Sequence, residues 1–190
     1  VDINPQPKHP KHMKFIQSCA LEYLEKHGHE FDVIHASPPC QAHTKASKVA
    51  RANGKEYECF IERTRRLLEK IGKPYVIENV PDSPLINPIT LCGSMFGLKT
   101  YRHRLFESNI NLTAPHHPEH VAKNTKMGRK PVDGEFIQVV GHFSGVPFAR
   151  EAKGISWMGQ KELAQAIPPA YTKFIGEQII IKLRKENEIN

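Results

Sequence analysis

FDVIHASPPCQ, residues 31–41, sets a short apolar segment (31–36) before a Pro-Pro pair, with one cysteine, Cys40, just beyond it. The segment is apolar enough to form a strand buried on both faces of a parallel sheet. In an open parallel sheet, ligands sit beyond the carboxyl ends of the strands, so Cys40 stands where a site would form. Most lone cysteines are inert small hydrophobes in a core. Whether Cys40 reacts or is hidden therefore depends on what else reaches the same edge.

Working outward, residues 41–54 are polar, and 57–71 carry Phe60, Ile61, Thr64, Leu67, Leu68 and Ile71 at helical spacing, with charges on the other face. Gly72 closes that helix, and residues 74–77 form a further strand running into Glu78-Asn79-Val80-Pro81. A single helix thus separates Cys40 from Glu78, and both follow strands, so the two side chains are expected at one sheet edge. Upstream, residues 1–3 read as the end of a strand, NPQPKHPKH (4–12) as a loop, 13–17 as a short strand, and 20–26 as a helix stopped by Gly28. The order strand, helix, strand, helix, strand predicts a doubly wound parallel sheet. Residues 105–112 offer one more strand. Residues 113–154 are rich in His, Pro, Lys and Gly, with a β-like stretch at 136–140, and 160–167 and 170–184 read as helices separated by Pro168-Pro169.

A chain of 190 residues with 39% apolar content fits one domain with a real core and a small appended lobe. Neither a run of about 18 apolar residues nor a signal pattern is present, which leaves the cytoplasm as the expected compartment. Cys19, Cys40, Cys59 and Cys92 form no CxxC pair, which suits a reducing compartment and supplies no zinc framework. HHPEH (116–120) has no cysteine close in sequence and reads as a surface loop, so no metal ligands are expected. With 27 Lys plus Arg against 20 Asp plus Glu, a net charge of +7 and a pI near 9.2, the chain favours a polyanionic partner. The basic residues gather around Lys45, Lys48, Arg51 and Lys55, at Arg102 and Arg104, and over 123–130.

SPPCQ (37–41), IENVP (77–81) and YRHRLFE (101–107) resemble the catalytic motifs of the cytosine-5 DNA methyltransferases, in the family's order and at compatible distances. LCGSMFG (91–97) and ELAQAIPPAYTKFIG (162–176) extend the likeness to compact phage-type members over nearly the whole chain. The resemblance implies a Rossmann-like S-adenosylmethionine-dependent methyltransferase fold, α/β, with a parallel-rich sheet truncated at its first strand and helix. It divides the chain into a catalytic core (1–108), a short target-recognition-like lobe (109–156) and C-terminal helices returning to the core (157–190).

On these residues the family's chemistry would run as follows. A Cys40 thiolate attacks C6 of cytosine and turns a poorly nucleophilic C5 into an enamine carbon that takes the methyl group. Glu78 would hydrogen-bond or protonate N3, Arg104 would hold O2, and Arg102 a backbone phosphate or the site carboxylate. The base must leave the stack, so double-stranded DNA is the expected partner and a flipped cytosine the substrate. Gln41 opens the loop that closes on DNA, which carries Lys45, Lys48 and Arg51, while Pro39 and Asn79 shape the cysteine loop. NTKMGRKP (124–131) is expected to contact phosphates.

The implied cofactor is S-adenosylmethionine. Asp2 matches the acidic residue that takes its ribose hydroxyls, Ile3 the side chain packed on adenine, and Pro38, Ala170 and Tyr171 further cofactor contacts. Cys19 stands where the family has an acidic residue for the adenine amino group, and Thr100 where it has glutamine. The family's glycine-rich strand and loop have no counterpart in these residues, so a second polypeptide or an N-terminal segment is expected to supply that unit, or a homodimer to cover the exposed sheet edge. Two other readings stay open: a catalytically inactive DNA-binding or partner-binding remnant, and a cysteine hydrolase using His35 or His43 as base.

Overall fold

In the computed structural model, residues 1–126 and 128–189 are described, with 186–189 taken as backbone alone; Met127, within the NTKMGRKP run, and Asn190 lie outside them. Among the described residues, four strands form one mixed sheet: Ile34–Ala36 (β1), Tyr75–Asn79 (β2), Ile89–Leu91 (β3) and Arg104–Ser108 (β4), in spatial order β1-β2-β4-β3. The chain is mixed α/β as expected, but a sheet parallel throughout does not form. β1 and β2 pair in parallel, with Ile34 beside Tyr75, His35 beside Val76 and Ala36 beside Ile77. β3 and β4 pair antiparallel. The last residue of β4, Ser108, donates its hydroxyl to the carbonyl of the first residue of β2, Tyr75, at 2.5 Å, so β4 also runs against β2.

The reason lies in the connections. A parallel neighbour needs a crossover, usually helical. Ile61–Ile71 (α3) supplies one between β1 and β2, whereas the chain from β2 to β4 holds only β3 and the 3-10 turn Gly93–Phe96. The expected strands at 1–3 and 13–17 reduce to one parallel bridge, Asp2 to Gln17. Between them, Pro5, Pro7 and Pro10 lack the N–H groups a longer ladder would need.

The chain divides into two compact units. The first comprises Val1–Asn87 and Glu107–Ile110, and the second Pro88–Phe106 and Asn111–Asn190. Residues 88–106 thus group with 111–190.

In the first unit, Ala20–His27 (α1) and α3 pack on each other beside the parallel pair. Leu68 of α3, Tyr75 and Ile77 form the buried centre, with Leu24, Ile34, Ala36 and Leu85 packed against it. Gly72 ends α3 in the left-handed conformation at φ 72°, and its N–H reaches Leu68 O, as its position in the sequence suggests. Gly28 instead continues into a 3-10 turn, Gly28–Glu30. The 31–36 segment is not buried on both faces, since Phe31 and Val33, ahead of β1, are 41% and 36% exposed and His35 within it is exposed.

The most buried charges of this unit are Arg65 and Glu107. Arg65 donates Nε and Nη2 to the two carboxylate oxygens of Glu107 at 2.6 and 2.8 Å, a bidentate fork, and Nη2 also reaches Pro84 O at 2.9 Å. The N–H of Ile86 donates to the same carboxylate at 2.6 Å. This pairing holds the guanidinium of Arg65 above its ordinary pKa, chiefly through the Glu107 hydrogen bond.

In the second unit, Ile137, Val139, Phe143, Ala149, Ala152, Ile155 and Leu163 make one core cluster. Val146–Lys153 (α4), a helix hidden in what reads as an irregular lobe, starts after Gly145, which sits at φ 88°, with Pro147 in its first turn. The β-like 136–140 stretch keeps only a bridge from Phe136 to Asn124. Lys153 is 1% exposed and donates to the carbonyls of Leu163 and Ala166 at 2.5 and 2.6 Å. It thereby caps the end of Gln160–Gln165 (α5), where the helix dipole favours a cation. Pro169–Ile189 (α6) follows, begun by the expected proline.

Candidate functional site

The parallel pairing of β1 and β2 ends both strands at one edge of the first unit. Asn79, the last residue of β2, is 1% exposed and donates its side-chain amide to Pro38 O at 3.0 Å, while its Oδ1 accepts from Val80 N at 2.9 Å. One buried side chain thus fixes the proline loop before Cys40 to the segment just after Glu78. Cys40 is half-buried, and Glu78 is 7% exposed. The Cys40 carbonyl accepts from His43 N and Thr44 N at 2.9 and 2.8 Å, which turns the chain sharply after the cysteine. Pro39 and Gln41 on either side of it are exposed.

The loop beyond is organised by an arginine. Arg51, on Lys48–Ala52 (α2), donates Nη1 to Gln41 O at 2.7 Å and to Thr44 O at 3.0 Å. Lys45 and Lys48 are exposed. Arg51, expected on the loop that closes on DNA, makes a clasp across the loop that carries those lysines. His43 turns to Cys59, with Nε2 at 3.1 Å from Sγ.

A cleft of about 700 Å³ lies on the same unit, and Asp2, Ile3, Cys19 and Pro38 all line it, together with the exposed apolar Phe31 and Val33. Its size falls in the range of about 300–1,000 Å³ typical of small-molecule sites. Asp2 keeps its carboxylate oriented by accepting from Asn4 N at 2.8 Å and Gln6 Nε2 at 3.2 Å. Cys19 stands at the N-cap of α1 and makes no side-chain cap bond.

The remaining expected residues belong to the second unit. Arg104 opens β4 and donates Nη1 to His103 O at 2.7 Å. Arg102, in the left-handed region at φ 34°, donates Nη1 to Val139 O at 3.0 Å and Nη2 to Ala164 O and Gln165 O at 2.8 and 2.9 Å. These bonds make it a tie between three main-chain segments, a task not foreseen from its place in the motif. Ala170 is half-buried. Tyr171 is 0% exposed, packs against Phe96 and Phe106, and donates its hydroxyl to Arg102 O at 2.9 Å. Burial pushes the Tyr171 hydroxyl far above its ordinary pKa. Its side chain is a core element of the second unit.

The second unit also holds a group that sequence spacing does not reveal. Cys92, His103, His117 and His120 bring one ligand-type atom each within 4.8 Å of one another. Among the described residues no helix is long and apolar enough to cross a membrane. The chain matches no protein-family model, no curated protein and no solved structure.

Proposed function

We propose that this chain is a cytosine-5 DNA methyltransferase chain or fragment, with Cys40 as nucleophile, Glu78 as its acid partner and Arg104 as the group for the ring oxygen. The observation that carries the reading is the Asn79 amide on the Pro38 carbonyl, which couples the cysteine loop to the Glu78 strand end within one unit. The roles themselves come from the resemblance of the motifs. The Cys40 thiolate adds to C6, forming a carbon–sulfur bond, and the ring electrons shift toward C5 as N3 takes a proton from Glu78. After methylation, a general base removes the C5 proton, the thiolate leaves and N3 returns its proton to Glu78, restoring the aromatic ring. The half-buried state of Cys40 suits this, because a base flipped from the duplex must reach its sulfur.

S-adenosylmethionine, when bound, supplies the methyl group from its sulfonium. The cleft lined by Asp2, Ile3, Cys19 and Pro38 supports such a site: it offers one carboxylate for hydroxyl groups beside apolar walls for a flat ring. We also propose that the parallel β1-β2 pair with its α3 crossover belongs to a Rossmann-like sheet, the finer form of the mixed fold described above.

The trapping experiment tests the chemistry. DNA containing 5-fluorocytosine, with S-adenosylmethionine, should give a covalent protein–DNA adduct with the native chain and none with Cys40→Ser. Absence of an adduct, even with a supplied glycine-rich N-terminal segment, would sink the catalytic claim. A second reading, a DNA-binding remnant without activity, draws on Cys19, whose thiol gives the cleft no second carboxylate. Calorimetric titration with S-adenosylmethionine separates the two, because micromolar binding counts against the remnant.

A further inference from the structure

The end of the β3-β4 pair holds a side-chain cluster unrelated to methyl transfer. The antiparallel register joins Ile89 to Phe106, Thr90 to Leu105 and Leu91 to Arg104, so its next step sets Cys92 across from His103. Gly93 closes this end with its N–H on Tyr101 O at 2.7 Å. Only glycine fits there, since a Cβ on Gly93 would stand 1.8 Å from Thr100 O. His117 and His120 reach the same place from the loop after β4. That loop is pinned by Tyr101, whose ring stacks on His120 at 3.7 Å and whose hydroxyl donates to Ala122 O at 2.7 Å.

We propose that Cys92, His103, His117 and His120 bind one zinc ion. A tetrahedral zinc at about 2.3 Å from sulfur and about 2.0–2.1 Å from nitrogen sets its ligands about 3.3–3.6 Å apart. Cys92 Sγ lies 3.4 Å from His120 Nε2, and His103 Nε2 lies 3.1 Å from His117 Nε2. No pair of ligand atoms in the set exceeds 4.8 Å, so small side-chain rotations complete the tetrahedron. One thiolate with three imidazoles is a borderline-soft set that suits zinc and not the oxygen-seeking magnesium or calcium. Four protein ligands fill the coordination sphere, so the site is structural: it fastens the β3 end, the β4 start and the 116–120 loop of the second unit to one another.

HHPEH alone reads as a surface loop because its cysteine is distant in sequence; the strand pairing supplies it. This inference is independent of the methyl-transfer reading and is tested on the full chain, reduced with a phosphine and stripped by a chelator. Competition titration against a chromophoric chelator should show one zinc per chain. Cobalt should give the visible bands of a tetrahedral ion together with a thiolate-to-cobalt charge-transfer band. Cys92→Ser should remove that band, and His117→Ala should weaken zinc binding by more than about 10–100-fold, the loss typical of an outer-shell partner alone. His116→Ala, at an exposed neighbouring histidine, should leave binding as it is. Because His117 is exposed, its variant stays informative even where the buried Cys92 variant fails to fold. Failure of the reduced chain to take up zinc at micromolar concentration, or unchanged affinity in His117→Ala, would overturn the proposal.

Discussion

Asn79 holds two main-chain groups at once, the Pro38 carbonyl and the Val80 N–H, from a position 1% exposed. A buried polar group left without its partner costs roughly 1–3 kcal/mol, so Asn79→Ala should lower the stability of the first unit by about that much in urea unfolding. Asn79→Asp separates the two roles. A carboxylate still accepts from Val80 N but presents oxygen, not an N–H donor, to Pro38 O. We expect Asn79→Asp to keep most of the fold yet lower the yield of the 5-fluorocytosine adduct, as read on denaturing gels with Cys40→Ser as the blank. An adduct yield equal to that of the native chain would show that the amide does not position Cys40. The hydrogen bond of Asn79 to Pro38 O is in keeping with the place that IENVP gives it beside the cysteine loop. The role of Arg102 was not legible in the sequence, because its three carbonyl partners, Val139, Ala164 and Gln165, lie far along the chain and no local pattern marks them.

At the scale of elements, α3 is tied to the strand end at Glu107 by an ion pair whose side chains are 6% and 4% exposed. Removing one member of such a pair leaves the other charged and buried, which typically costs about 3–5 kcal/mol. Glu107→Gln should therefore destabilise the first unit by about that amount, whereas Glu62→Gln, at the exposed end of the same arginine, should have a far smaller effect. Chemical unfolding followed by circular dichroism distinguishes the two, and similar losses in both variants would contradict the assignment. Replacing Arg65 and Glu107 together by apolar residues of like volume should recover much of the loss. The helix itself was readable from its apolar spacing and its closing Gly72. The ion pair was not, since YRHRLFE offers Glu107 as one more exposed-looking carboxylate. β3 and α4 were missed for a related reason: a three-residue strand shows no alternation, and α4 begins at Gly145-Val146-Pro147, a sequence that reads as a turn.

For the whole molecule, the α/β class follows from local periodicity, but strand direction depends on what the connections contain. Without a helix after β2, β4 could only return against its neighbour, and a doubly wound order could not be completed by these residues. Charge is the property the sequence states most directly, and the fold divides its use. Arg51 is spent on the Gln41 and Thr44 carbonyls and Arg65 on Glu107, while Lys45 and Lys48 stay exposed on the loop after Cys40. For a polyanionic duplex, each phosphate contact adds about −0.9 to the slope of log affinity against log salt. Lys45→Ala with Lys48→Ala should therefore make that slope shallower by up to about 1.8, with binding weakened at low salt and little change in thermal stability. Arg51→Ala should act differently, by loosening the loop that presents both lysines, and so reduce affinity together with protease resistance of residues 41–55. Fluorescence anisotropy of a labelled duplex across a salt series measures the slopes. A slope that does not change in the double lysine variant would remove this loop from the DNA-binding surface and leave the net charge of +7 to be explained elsewhere on the chain.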